Sequence, residues 1–314
     1  MSKVGLIVPT LNAGSLWESW LKAFEQQTRL PDCLLLIDSS SSDDTVALAR
    51  AQGFDVQVIP KSEFNHGGTR QSGVNVLSAV DIIVFLTQDA LLAGPDAIER
   101  LLSAFNDERV GAAYGRQLPH RNAGPIAAHA RLFNYPDESQ LRGLEDRTRF
   151  GIKTVFISNS FAAYRRSALM QVSGFPVDTI MNEDTFVAGK MLVWGWKIAY
   201  CADAQVFHSH DYRFLEEFKR YFDIGVFHTQ TPWLQQTFGG ASGEGLRFVH
   251  HISQGLGQHG IHGLWYRERR KGHMLQVSEV AGAQQPGEAP IAQGLARAAA
   301  RHRLAEQAMS HRNL

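Results

Sequence analysis

What the chain has little of narrows the field first. Its 314 residues include only two cysteines, Cys33 and Cys201. They lie far apart and belong to no CxxC or Cys/His ligand spacing, which argues against a disulfide framework and fits a reducing compartment. No stretch approaches the roughly 20 apolar residues of a membrane span. The opening MSKVGLIVPTLN has one lysine and an apolar run that stops at Pro9, too short and wrongly flanked for a signal peptide. The expectation is a cytoplasmic protein whose only membrane contact is peripheral. Basic and acidic residues number 31 each, so bulk electrostatics points to no nucleic-acid partner. Two nucleotide signatures are also missing: "VPTLNAGSL" lacks the G-x-G-x-x-G of dinucleotide sites, and no Walker A loop occurs. No internal repeat is visible.

What remains is 44% hydrophobic and 20% charged, ordinary for a globular chain long enough for one large α/β domain or one domain plus an appendage. Residues 4–86 alternate strand-like and helix-like patterns. Val4–Val8, Cys33–Ile37, Val56–Ile59 and Ile82–Leu86 read as buried strands. Ser15–Gln27, Asp43–Gln52 and Gly68–Ser78 read as the helices between them. This rhythm predicts a parallel sheet with right-handed crossovers, whose ligands bind at the carboxyl ends of the strands. Farther on, the pattern predicts a helix over 96–105, a strand over 110–114, a polar excursion over 117–153 with one helical piece, a helix over 183–194 and a strand into His208. Amphipathic helices follow after Asp211.

The strand ends carry the chemistry. They read "PTLNAG", "DSSSSDDT", "KSEFNHGGTR" and "TQDA", each polar and rich in Gly, Ser or Asp. The fourth strand stops at Gln88-Asp89, bringing a carboxylate to the edge of the core, where it is costly unless solvated, paired or bound to a cation. In "DSSSSDDT", Ser42 or Asp43 also fits a helix N-cap. In "FNHGGTR", a glycine pair enters a helix whose backbone N–H groups suit an anion, with Arg70 adding a fixed cation; a plain turn onto a helix fits the same letters. "MNEDTFVAGKML" places Glu183 and Asp184 at a helix start, where a favourable dipole interaction is the simpler explanation.

This order of motifs resembles the family 2 glycosyltransferases, over roughly residues 4–230. "NHGGTR", "TQDA" and "HSHDY" are most similar to bacterial rhamnosyltransferases of surface polysaccharides. The resemblance implies a GT-A fold: a Rossmann-like, mostly parallel sheet flanked by helices, over 1–230, with a helical, basic C-terminal extension over 231–314. It implies an inverting transfer of a sugar, L-rhamnose from dTDP-L-rhamnose, onto a saccharide or lipid-linked acceptor. A non-catalytic nucleotide-sugar binder and a transferase for another sugar are the alternatives. Pro9, Thr10, Asp38, Gly67, Arg70, Gln88 and Asp89 would contact the donor.

The family's fourth strand ends in an Asp-x-Asp-type motif holding Mg²⁺ or Mn²⁺. Here Thr87-Gln88-Asp89-Ala90 offers one carboxylate, with His208 or His210 as further ligands. Alternation along a strand would turn only one of the two inward, and His208 is preferred. Asp184 would be the base and Glu183 would brace the backbone. Asn159, Trp194 and Trp196 are the acceptor candidates. "WYRERRKGH" and "LARAAARHRL" put Arg among apolar residues at helical spacing, which suits peripheral contact with anionic lipid at the inner face of the cytoplasmic membrane and equally suits solvated basic helices.

Overall fold

The structure, a computed structural model, describes residues 2–179, 181–212 and 214–240. The basic segments beyond 240, with most of the expected extension, lie outside the described residues. Among the described residues, nine strands form one sheet: β1 Val4–Thr10, β2 Cys33–Asp38, β3 Asp55–Val58, β4 Ile82–Leu86, β5 Leu91–Leu92, β6 Val110–Leu118, β7 Gln140–Arg142, β8 Phe161–Arg165 and β9 Lys197–Phe207. Their order is β3-β2-β1-β4-β8-β6-β9-β5, with β7 also on β9. Strands β1–β4, β6 and β9 run one way, while β5, β7 and β8 run the other. Parallel strands buried on both faces need continuous apolar runs, and that is what Ile82–Leu86 is.

Side-chain alternation splits those runs between two cores. Leu6, Val8, Leu36, Val84 and Leu86 face Trp17, Trp20 and Phe24 of helix Trp17–Glu25 and Ile98 and Leu101 of helix Ala97–Ser103. Ile7, Leu35, Ile37, Ile83 and Phe85 face Val74 of helix His66–Val76 and Val187 and Met191 of helix Glu183–Val193. Leu234 and Phe238 join this second core, so packing continues past residue 230.

Residues 117–153 hold more structure than a polar excursion. Gln117 and Leu118 complete β6, Pro125–Asn134 is helical, and Gln140–Arg142 pairs with β9. A three-residue strand shows no period of its own; pairing with β9 makes it. Topology also explains the site. The carboxyl ends of β1, β2, β4, β6 and β9 lie on one edge, and antiparallel β8 brings its amino end, with Ser158–Ser160, to that same edge.

Candidate active site

Three groups of side chains gather on this edge. The first ties the β1 and β2 loops together. Asp38 is fully buried and accepts from Thr10 Oγ1 at 2.9 Å, Ser41 N at 2.7 Å and Ser41 Oγ at 2.6 Å. The Gln88 amide grips the loop from β4: its Oε1 accepts from Leu11 N at 2.7 Å and its Nε2 donates to Leu11 O at 3.0 Å. Both residues hold the loop after β1 in place, on the edge where the donor was expected. Pro9 is a partly buried residue of β1, paired with Ile37.

The second group surrounds the acidic pair. Glu183 is buried and lies 3.1 Å from Arg70 Nη1, and Asn159 Nδ2 donates to its Oε1 at 2.9 Å. Asn159 Oδ1 accepts from Tyr164 at 2.8 Å, and Asn159 N donates to Asp184 Oδ2 at 3.1 Å. Thr185 N supplies Asp184 Oδ1 at 2.7 Å. Burial would raise the Glu183 pKa, but the charges of Arg70 and His66 and the Asn159 hydrogen bond outweigh it and hold Glu183 below the usual range. Asp184 goes the other way: burial and then the Glu183 charge push it up to about 7. The half-buried Asp184 is thus a poised proton acceptor beside a fixed anion.

Three of the expected contact residues have structural partners of their own. Arg70 is buried against Glu183 and is not offered to a phosphate. Helix His66–Val76 is capped by its own Asn65, whose Oδ1 accepts from Gly68 N at 2.8 Å. Gly67 is required for a different reason: a Cβ there would collide with the Pro176 carbonyl oxygen. Asn159 is likewise a buried link between the two carboxylates and not an acceptor contact.

The third group is Asp89, His208 and His210. His208 Nε2 and His210 Nε2 each lie 3.5 Å from Asp89 Oδ2 and 3.0 Å from one another. Both rings point at Asp89, whereas alternation along a strand would admit only one. β9 ends at Phe207, and the alternation rule ends with it. Thr87 Oγ1 donates to Asp89 Oδ1 at 2.6 Å. His208 Nδ1 lies 2.8 Å from Gln117 Oε1, which also accepts from Arg131 Nη1 at 2.8 Å. An acceptor there requires His208 to carry its proton on Nδ1, leaving the Nε2 lone pair facing Asp89.

Burial lowers the pKa of both rings, with Arg131 among the charges acting the same way, and His210 falls to about 4. Neutral imidazoles and an ionised carboxylate at these spacings fit a divalent cation. Bonds of about 2.1–2.2 Å separate two ligand atoms by about 3.0–3.1 Å at right angles and about 3.4–3.6 Å at tetrahedral angles, which spans the distances found. Gln117 Nε2 then donates to Ser158 Oγ at 2.9 Å, next to Asn159, so hydrogen bonds along one edge join this cluster to Asp184. His210 was weighed as the alternative to His208, whereas both stand at Asp89, and Gln117 and Arg131 were not singled out. The His-x-His spelling held the only signal, for His210.

Trp194 and Trp196 do not belong here. Trp194 is 59% exposed, and Trp196 donates Nε1 to Gln171 at 2.7 Å. They follow helix Glu183–Val193, about 15 Å of helix beyond Asp184, and precede the amino end of β9.

The solved mannosyltransferase PcManGT from Pyrobaculum calidifontis, in complex with GDP-Man and Mn²⁺, superposes with a TM-score of 0.52 at 17% identity, over 82% of this chain and 80% of that one. That likeness carries the fold, which is GT-A. Residues 6–173 match the model of glycosyl transferase family 2. The chain is 54% identical over 248 residues, 79% of both chains, to the O-antigen chain rhamnosyltransferase RfbN of Salmonella typhimurium. It is 53% identical over 250 residues, again 79% of each, to the O-antigen chain rhamnosyltransferase WbaN of Salmonella anatum. The chain belongs to glycosyl transferase family 2 and is a glycosyltransferase. Among the described residues no helix is long and apolar enough to cross a membrane.

Proposed function

We propose that the protein transfers L-rhamnose from dTDP-L-rhamnose, with inversion, to a saccharide or lipid-linked acceptor during bacterial surface polysaccharide synthesis. Two relatives more than half identical over 79% of their length are rhamnosyltransferases of the O-antigen chain, which supports the sugar and the process. The observation that carries the mechanism is Asp184, a half-buried carboxylate raised to about 7 and held by two backbone N–H groups. It takes the proton of the acceptor hydroxyl as that oxygen bonds to the anomeric carbon. The bond from that carbon to the diphosphate breaks, and its electron pair leaves with dTDP. Glu183 stays ionised against Arg70 and keeps the pKa of Asp184 high.

Asp89, His208 and His210 would hold Mn²⁺ or Mg²⁺, and the two imidazoles favour Mn²⁺. Such an ion, when bound, neutralises the diphosphate and makes it a better leaving group. Thr10, Asp38 and Gln88 shape the nucleoside end of the cleft. Nucleotide release assayed over a panel of nucleotide sugars, with isolated acceptor lipid, tests the reading. Turnover should be greatest with dTDP-L-rhamnose; equal turnover with UDP- or GDP-sugars would overturn the donor assignment.

A further inference from the structure

Among the described residues, several buried or half-buried guanidinium groups have evident structural partners. Arg70 pairs with Glu183, Arg142 donates to the Tyr114 hydroxyl and the Phe156 carbonyl, and Arg165 donates to the Val110 and Phe105 carbonyls. Arg131 does not follow suit. It lies on helix Pro125–Asn134, half-buried, and its one hydrogen bond goes to Gln117 Oε1, the same oxygen that faces His208. Its Nε is buried with no hydrogen-bond partner, as are those of Arg70, Arg142 and Arg166, but among the described residues Arg131 has neither the ion pair of Arg70 nor the several hydrogen bonds of Arg142 and Arg165. The start of its helix is fastened beside the cluster, Gly124 N donating to Asp211 Oδ1 at 2.9 Å one residue after His210.

A half-buried cation without an anion is costly, and this one stands next to two neutral imidazoles and a single carboxylate. With a divalent cation on Asp89, His208 and His210, this corner would carry two positive charges in excess. The ligand that cancels both is a doubly charged anion with oxygens spaced for a guanidinium fork, which describes a diphosphate.

We propose that Arg131 binds the diphosphate of the nucleotide-sugar donor and stabilises the charge that builds on it as the sugar departs. This rests on the donor reading above and adds a residue to it. Because the leaving diphosphate gains charge in the transition state, the contact strengthens as the bond to the sugar breaks, which lowers the barrier as well as aiding binding. Arg131 has a second connection, to Gln117, so the test must separate contact with the donor from support of His208.

Three quantities are measured on wild type, Arg131→Gln and Arg131→Lys: Mn²⁺ affinity alone by electron paramagnetic resonance, and dTDP and thymidine affinities at saturating Mn²⁺ by calorimetry. Arg131→Gln should bind Mn²⁺ and thymidine as wild type does and dTDP at least about tenfold more weakly. Arg131→Lys, which keeps the charge and loses the fork, should fall between. Unchanged dTDP affinity in Arg131→Gln would overturn the proposal. So would a dTDP loss matched by an equal Mn²⁺ loss, which would make Arg131 a support for His208. If wild type itself bound no dTDP, the donor reading would fail, and the Arg131 proposal with it.

Discussion

Asp184 is raised to about 7 by burial and by Glu183, and this has two measurable consequences. Between the ordinary carboxylate range and about 7 the native state holds a proton that the unfolded chain has lost, so stability falls as pH rises through that window. Asp184→Asn should therefore melt at a higher temperature than wild type at pH 8, with the gap closing toward pH 4, in scanning calorimetry. Equal melting at pH 8 would mean that ionisation is not opposed. Transfer should rise with pH toward about 7 and level off above it, because only the ionised carboxylate accepts the proton. His210 makes a separate prediction. Losing an outer partner of a metal ligand already costs about 10–100-fold in affinity. His210→Ala, which removes a direct ligand, should weaken Mn²⁺ binding by no less; affinity within twofold of wild type would exclude His210 from the site.

At the scale of elements, the Arg70–Glu183 pair joins helix His66–Val76 to helix Glu183–Val193, with both side chains buried. Arg70→Met would leave Glu183 buried without its ion-pair partner, at a cost of about 3–5 kcal/mol in urea unfolding. The double variant Arg70→Met/Glu183→Met should regain most of that loss; no recovery would show that the ion pair is not what Arg70 contributes. The helix–helix contact was not legible in the sequence, since nothing in "GGTR" says that its arginine turns to "NED", more than a hundred residues later. The strands were legible because burial on both faces leaves an unbroken apolar run, as in Ile82–Leu86. β5 and β7 were invisible, being two and three residues long and formed only by pairing with β9. Asp89 and Asp184 could be read because each puts a carboxylate at the edge of an apolar element. Gln117 and Arg131 could not, since Gln117 meets His208 only when β6 and β9 lie side by side, and Arg131 meets Gln117 only when helix Pro125–Asn134 packs on β6.

For the molecule as a whole, the Asp89–His208–His210 cluster and Asp184 are held by different elements, the ends of β4 and β9 for one and a helix amino end for the other, and β8 brings them onto one edge. On the proposed function, the fold puts the groups that would meet leaving-group charge and the group that would remove the proton on one sheet edge, as a single displacement requires. Outside that unit, the Arg-rich segments of the C-terminal region predict a peripheral role. Removing residues 282–314 should leave dTDP binding intact and reduce sedimentation with anionic liposomes, and high salt should do the same to the full chain. Equal liposome binding by both forms would sink that role. The central claim is that this cleft transfers a sugar with Asp184 as the base. Its most direct test compares wild type with Asp184→Asn for dTDP-L-rhamnose affinity and rhamnose transfer on the same preparations. The account predicts retained donor affinity with transfer reduced by about 10²–10⁴-fold; transfer at the wild-type rate would contradict it.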